Sequence, residues 1–118
     1  MSILINARRP KPECKMVFHL ERRPQFLIVA IKGDASFEQA EFISAELLRI
    51  PLNSFPLVVL DLRELTFISS LAMRALIEYR RGLGRRGVEV RLANVQEPVW
   101  MTLELAGLWK LFQPMELK

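Results

Sequence analysis

The feature that most constrains the fold is one short and almost wholly apolar run, which covers residues 57–62 (LVVLDL). A run of this length and composition is typical of a strand that is buried on both faces, as in the middle of a parallel sheet. Strands of this kind alternate along the chain with helices. The run therefore predicts an α/β fold.

The rest of the sequence supplies that alternation. The predicted strands cover residues 16–20, 26–31, 57–62 and 88–93, with a short last strand at 111–112. The predicted helices cover residues 37–50, from about 69 or 70 to an end that Gly84 and Gly87 bracket, and 97–105. Arg22-Arg23-Pro24-Gln25 is expected to form a hairpin, and Gly33-Asp34 is expected to stop the second strand. The pattern indicates a mixed, mostly parallel sheet of four to five strands with an antiparallel N-terminal edge hairpin, packed by three to four helices.

Local signals place the ends of the helices. Ser36 followed by Gln39 has the capping-box spacing for the first helix. Pro98 suits the first turn of the third helix, and Gly107 suits its C-terminal cap. On the second helix the charged residues recur at helical spacing and are expected to face solvent: Arg74, Glu78, Arg81 and Arg85.

Length and composition indicate one globular domain. The chain has 118 residues, of which 51% are hydrophobic and 25% are charged, and a chain of this size forms a single core. Residues 1–15 are interpreted as an N-terminal extension with a short strand at Ile3-Leu4-Ile5, and residues 16–118 as the domain. That apolar run is too short for a signal peptide, and Cys14 is the only cysteine, so a cytoplasmic location is expected.

The net charge of +4 raises the question of an anionic partner. The basic residues are scattered between the N-terminal extension and a predicted loop that carries Arg80, Arg81, Arg85 and Arg86. Aromatic residues do not interleave with them as base-stacking platforms would. A solvated surface is favoured, with no nucleic acid and no membrane as partner, although binding of DNA through the extension is left open as an alternative.

Signals of catalysis are weak. A glycine-rich phosphate loop and a metal-spaced Cys/His cluster are both missing from the sequence, and Ser70 has no Gly-x-Ser-x-Gly context. His19 is the only histidine and is interpreted as an ordinary strand residue. We therefore predict a protein that is not an enzyme and that uses no metal and no cofactor.

The most informative segment is residues 60–73, interpreted as a strand, a short turn and a helix N-terminus with two serines, Ser69 and Ser70. A serine at that junction is either an N-cap, which stabilises a helix by about 1 kcal/mol, or a phosphate acceptor, because the helix dipole favours an anion there. Arg74 lies one turn further on and is expected to pair with a phosphate. The pattern alone does not choose between the two interpretations.

This segment resembles the signature of the STAS domain of anti-sigma factor antagonists, in which a buried strand leads into Leu-x-Phe-[Ile/Met]-Asp-Ser-[Ser/Thr]-Gly. Residues 92–95 and 103–112 are similar to the last strand and helix of that family, and Gly33-Asp34 stands where the family has a Gly-Glu turn. The resemblance implies a STAS-type fold and a function in partner switching. The unphosphorylated antagonist binds an anti-sigma factor that is also a serine kinase, the kinase phosphorylates the antagonist, and a phosphatase reverses the modification.

The resemblance implies Ser70 as the phosphate acceptor, with Ser69 as the second choice. Two positions depart from the family pattern, because Ser69 stands in place of the family Asp and Ala72 in place of the family Gly. The first change removes a charge next to the acceptor, and the second is expected to restrict close approach of a partner to the backbone. A phosphorylation-independent STAS scaffold or interaction subunit, as in stressosomes or lipid-transport complexes, is the alternative.

Six residues are predicted to contact a partner: Asp34, Ser69, Leu71, Arg74, Trp100 and Met101. The last two, with Trp109, are interpreted as an exposed apolar patch for a partner or for a second copy of the chain, as in a homodimer. The other interpretation is that the C-terminal segment folds over them.

Overall fold

The computed structural model describes residues 16–52, 55–112, 114–115 and 117. The strands are β1 (Val17–Arg22), β2 (Leu27–Ala35), β3 (Leu57–Asp61), β4 (Leu65–Ile68) and β5 (Glu89–Ala93). The helices are α1 (Ala40–Leu48), α2 (Ser70–Gly84) and α3 (Glu97–Leu105), and a short 3-10 helix (Phe37–Gln39) precedes α1. The predicted N-terminal extension and its strand lie outside the described residues.

The five strands form one mixed sheet with the order β1-β2-β3-β5, and β4 pairs with the end of β2. β1 and β2 are antiparallel, and β3 runs parallel to both β2 and β5. The hairpin between β1 and β2 is closed by a hydrogen bond from the Arg23 amide to the Phe26 carbonyl, at 2.9 Å. The predicted α/β architecture with an antiparallel N-terminal edge is therefore confirmed.

The prediction for residues 57–62 is also confirmed. Val58, Val59 and Leu60 have no solvent exposure, and successive residues of a strand point to opposite faces of the sheet. Val58 and Leu60 belong to the main core, together with Ile43 of α1 and Leu76 of α2. The strand is thus covered on both sides.

The expectation that Gly33-Asp34 stops the second strand is wrong. β2 continues to Ala35 and carries an irregularity of register between Gly33 and Asp34. Gly33 has φ 130°, a conformation that is open to glycine because it lacks a Cβ atom. The residue therefore bends the strand instead of ending it, and the last part of β2 pairs with β4.

β4 is a strand that the sequence analysis interpreted as a turn. The chain leaves β3 and makes a tight turn, in which the Leu65 amide donates to the Leu62 carbonyl at 3.1 Å. It then pairs again with β2, in parallel. The sheet therefore extends directly to the N-terminus of α2.

The helix ends show which local signals were sufficient. α2 and α3 occupy the predicted residues, and Gly107 adopts φ 72° just after α3, as its proposed capping role requires. Ser36, in contrast, makes no side-chain capping bond, and the chain forms the 3-10 helix before α1 begins at Ala40. The predicted last strand at residues 111–112 is not formed. Phe112 is buried in the core, and Met115 makes a parallel bridge to Ala93.

Candidate functional site

The candidate site is the junction where β4 passes into α2. Asp34 pairs in register with Phe67, and Ala35 pairs with Ile68. The Ser69 amide then donates a hydrogen bond of 2.8 Å to the Ala35 carbonyl. These contacts fix the start of α2 against the end of β2, so that Asp34 and the two serines lie at the same edge of the sheet.

Ser69 is the N-cap of α2. Its backbone is extended (φ −85°, ψ 167°), and its Oγ accepts a hydrogen bond of 3.2 Å from the Ala72 amide. Its carbonyl accepts a further bond of 2.9 Å from the Met73 amide. The hydroxyl of Ser69 therefore stabilises the helix, because it accepts a hydrogen bond from one of the first-turn amides that have no partner within the helix.

Ser70 occupies the next position and is different. It is the first residue of α2, and its side chain is exposed to solvent. Within the described residues its hydroxyl forms no hydrogen bond, and the capping acceptor of the helix is supplied by Ser69. The positive end of the helix dipole and the first-turn amides lie beside it and favour negative charge. Ser70 is thus accessible to an enzyme and can carry an anionic group without losing a structural bond.

An open groove of about 470 Å³ begins at Ser70 and follows α2. Its walls include Arg74 and Arg81 of α2, with Ala106 and Leu108 from the segment that follows α3. The Arg74 side chain is exposed and has no ion-pair partner in the described part of the chain. A free guanidinium therefore lies on the same face as Ser70, one helical turn away.

Two exposed aromatic residues next to this junction were missed by the sequence analysis. Phe37 is 67% exposed in the 3-10 helix that follows β2, and this helix contacts α2. Phe67 is 48% exposed and lies two residues before Ser69. Aromatic side chains are enriched at protein interfaces relative to the rest of the surface. Phe67 lies in a segment interpreted as a turn, and Phe37 has polar neighbours, Ser36 and Glu38, so neither was recognised as part of an exposed surface.

The structure brings together four of the six predicted partner-binding residues. Asp34 is exposed at the end of β2, Ser69 and Leu71 are half-buried at the start of α2, and Arg74 follows one turn later. Ala72 is fully buried. Its methyl group therefore points into the core, so the expected restriction on a partner's approach to the backbone does not apply at this position.

Trp100 and Met101 lie elsewhere, on α3. The rings of Trp100 and Trp109 are 5.9 Å apart between centroids, and both side chains are half-buried. The exposed apolar face of α3 consists of Met101, at 51% exposure, and Leu105, at 87%. These two residues are one turn apart, so they lie on the same side of the helix.

The described residues contain neither a metal-binding cluster nor a helix suited to cross a membrane. Across residues 16–52 and 55–112, no group of three His, Cys, Asp or Glu side chains could hold a metal ion. In the same described part of the chain, none of the helices combines the length and the apolar character that crossing a membrane requires.

Comparison with known proteins places this geometry in a family. The family model for the STAS domain matches residues 18–118. No curated protein matches the chain. An anti-sigma factor antagonist from Mycobacterium paratuberculosis has a similar structure, with a TM-score of 0.75 and 19% identity, and the match covers 90% of this chain and 89% of that one.

The anti-sigma factor antagonist SpoIIAA is similar in two solved forms. The unphosphorylated form matches with a TM-score of 0.68 and 17% identity, over 86% of this chain and 89% of that one. The phosphorylated form of SpoIIAA, described as a Bacillus cell fate determinant, matches with a TM-score of 0.61 and 16% identity, over 86% and 92%. At these identities the structural matches show a shared fold.

Proposed function

Because the chain belongs to the STAS domain family, we propose that it is an anti-sigma factor antagonist, a non-catalytic regulator that binds an anti-sigma factor with serine kinase activity. The observation that carries the proposal is that the two serines at the start of α2 have different roles. Ser69 caps the helix, and the hydroxyl of the exposed Ser70 forms no hydrogen bond with the described part of the chain. Ser70 is the proposed phosphate acceptor, with a phosphatase as the reversing partner.

In the unphosphorylated state this edge offers a surface that suits protein binding. Phe37 and Phe67 supply exposed aromatic area, and Asp34 and Arg74 supply charges on either side of the serines. Aromatic side chains, phenylalanine among them, and arginine are enriched at typical protein interfaces. A neutral serine in the middle of this surface is small and easily desolvated, so the anti-sigma factor can dock over it.

Phosphorylation would change that surface without unfolding it. A phosphate on Ser70 adds about −1.5 to −2 charges at a helix N-terminus, where the dipole stabilises them. Arg74 is one turn away and can pair with the phosphate oxygens. A partner that covers this position must then desolvate a charged group, which is costly unless the partner provides a matching cation. The complex would dissociate, and the anti-sigma factor would be free to bind its sigma factor again.

The SpoIIAA structures support this switch by analogy. That protein is known in an unphosphorylated and in a phosphorylated form, and this chain resembles both. A fold of this type therefore accommodates a phosphate.

The test uses the purified chain and a preformed complex of the anti-sigma factor and its sigma factor from the same organism. The natural chain should release the sigma factor, as measured by size-exclusion chromatography. Ser70→Glu, which carries negative charge at the same position, should release it at least about tenfold less efficiently. Ser70→Ala should release it as well as the natural chain does, and it should gain no phosphate with the kinase and ATP.

Gln25→Glu is the matched control. Gln25 is exposed in the hairpin at the opposite end of β2 from Ala35. The Gln25→Glu variant therefore carries the same added charge far from the site, and it should release the sigma factor as the natural chain does. Equal loss of release in Ser70→Glu and Gln25→Glu would contradict the proposal, and so would phosphorylation of Ser70→Ala.

Trp100 and Met101 belong to the same proposal as a second contact surface, for a partner or for a second copy of the chain. Met101 is exposed next to Leu105, and this face of α3 has no cover in the described structure. If a second copy binds there, the Trp emission should shift to the red on dilution, because the half-buried rings become more hydrated. Emission that does not depend on concentration, together with a monomeric mass in solution, would contradict self-association.

A further inference from the structure

A basic cavity lies at the far end of α2 from Ser70, and the proposed switch makes no use of it. It has a volume of about 420 Å³ and lies between the C-terminal end of α2, the start of β5 and the segment after α3. Its cationic lining consists of Arg80, Arg81, Arg85 and Lys110. From the sequence, the arginines were expected to form a solvated surface, and Lys110 was not expected among them.

The charges of this cavity are only partly neutralised. Arg81 pairs with Glu78 at 3.5 Å, and Glu89, the acidic residue in the wall, pairs with Arg91 at 2.7 Å. Arg80, Arg85 and Lys110 have no ion-pair partner in the described residues. Arg80 lies 6.0 Å from the centroid of the Phe112 ring, and Lys110 lies 5.8 Å from that of the Trp109 ring. Cations near the C-terminus of a helix are expected to stabilise its dipole, which explains the arginines of α2. That reason does not explain Lys110, which comes from another segment and lines the same cavity.

The cavity offers side-chain cations but few backbone donors. The amides of Arg86 and Val88 both donate to the Leu83 carbonyl at 2.9 Å, and the Glu89 amide donates to the Pro56 carbonyl at 3.0 Å. Sites that hold a compact phosphate group typically use free amides at a helix N-terminus, whereas this wall is the carbonyl end of a helix. Exposed guanidinium groups at an open rim need no free amides to bind carboxylates, because an arginine can bind each carboxylate through two hydrogen bonds.

The remaining lining is apolar, from Val88, Val90 and Leu111, and Leu111 is partly exposed. From the charge and this apolar floor we infer that the cavity binds an acidic peptide segment of a partner protein, with carboxylates on either side of one apolar side chain. Arg81 lines both this cavity and the groove that begins at Ser70. A partner that lies along α2 can therefore contact both, although the peptide site does not depend on the phosphate switch.

The test uses the full chain and a fluorescein-labelled synthetic peptide, Asp-Glu-Leu-Glu-Asp, with binding measured by fluorescence anisotropy in about 50 mM salt, where exposed charges are weakly screened. The double variant Arg85→Gln/Lys110→Gln should weaken binding by about tenfold, because it removes two cations that have no ion-pair partner in the described residues. The matched control is Arg22→Gln/Arg63→Gln, which removes two exposed arginines outside the cavity. Its net charge is therefore equal to that of the double variant. It should change binding by less than about twofold.

Three further measurements make the outcome decisive. The neutral peptide Asn-Gln-Leu-Gln-Asn should not bind measurably, and Ser70→Ala should bind the acidic peptide as the natural chain does. Equal weakening in the double variant and in its control would overturn the inference, because it would show attraction to net charge alone. Tighter binding of tripolyphosphate or of a single-stranded oligonucleotide than of the peptide, lost in the same double variant, would overturn the assignment to a peptide. Thermal unfolding of each variant confirms that the fold is kept.

Discussion

The two adjacent serines at the start of α2 should respond in opposite ways to the same substitution. Ser69→Ala removes the Oγ that accepts a hydrogen bond from the Ala72 amide, and loss of an N-cap of this kind costs about 1 kcal/mol. Ser70→Ala removes an exposed hydroxyl for which the described structure shows no hydrogen bond, so the free energy of unfolding should change by less than about 0.5 kcal/mol. Function should follow the reverse order, because Ser70 is the proposed phosphate acceptor.

The size of the effect can be converted into a melting temperature. For a chain of 118 residues, the entropy of unfolding is about 0.25 kcal/mol/K, so a loss of 1 kcal/mol lowers Tm by about 4 °C. Thermal unfolding monitored by circular dichroism resolves such a shift. Ser69→Asp should keep Tm close to that of the natural chain, because aspartate is an equally good N-cap and suits the helix dipole.

Ser36→Ala provides a control that separates structure from sequence pattern. Ser36 has the capping-box spacing, but its side chain makes no capping bond, so its replacement should cost less than about 0.5 kcal/mol. A larger loss of stability for Ser70→Ala than for Ser69→Ala would refute the assignment of the two roles. Equal losses for Ser69→Ala and Ser36→Ala would refute the reasoning about the cap.

Other regions give further predictions. Burial raises the pKa of Tyr79 to about 12, against a smaller opposing effect of Arg86, and in the described structure the Tyr79 hydroxyl has no hydrogen-bond partner. Tyr79→Phe should therefore be as stable as the natural chain at neutral pH or more stable by about 1 kcal/mol in urea unfolding. The pKa of Tyr79 in the folded state lies above the ordinary 10.0. The contribution of its neutral hydroxyl to the free energy of unfolding is therefore complete below pH 10 and is lost as the pH rises through 12. The difference between the two proteins should shift in favour of the Phe variant over that window, and an unchanged difference would contradict the burial effect. Gly107→Ala should cost about 1 kcal/mol, since φ is 72° there. Gly82 lies in α2 with open space around its Cβ position, so Gly82→Ala should increase the free energy of unfolding by about 0.5–1 kcal/mol. A lower melting temperature for Gly82→Ala than for Gly107→Ala would contradict this.

The sequence predicted the parts of the fold that depend on strong local patterns. Residues 57–62 were recognised as a central strand because burial on both faces requires apolar side chains at every position. The bend at Gly33 and the strand β4 were not predicted, because each is stabilised mainly by pairing with the other, a contact between residues more than 30 positions apart in sequence. Local propensity carries little information on such pairing.

The candidate site was predicted to a similar degree. The strand-to-helix junction pointed to Ser69 and Ser70, but only the geometry divides their roles, since either serine could have capped the helix. The exposure of Phe67 also depends on how the end of β2 pairs with β4, so it could not be derived from hydropathy. Lys110 is far from the arginines of α2 in sequence, and only the packing of the segment after α3 brings it to their cavity.

The measurement that tests the central claim most directly is phosphosite mapping by mass spectrometry, after the chain is incubated with its anti-sigma factor kinase and ATP. We predict one phosphate on Ser70, no phosphate in Ser70→Ala, and continued phosphorylation of Ser69→Ala. A phosphate on Ser69, or a chain that forms a complex with the kinase but is never modified at Ser70, would contradict the account.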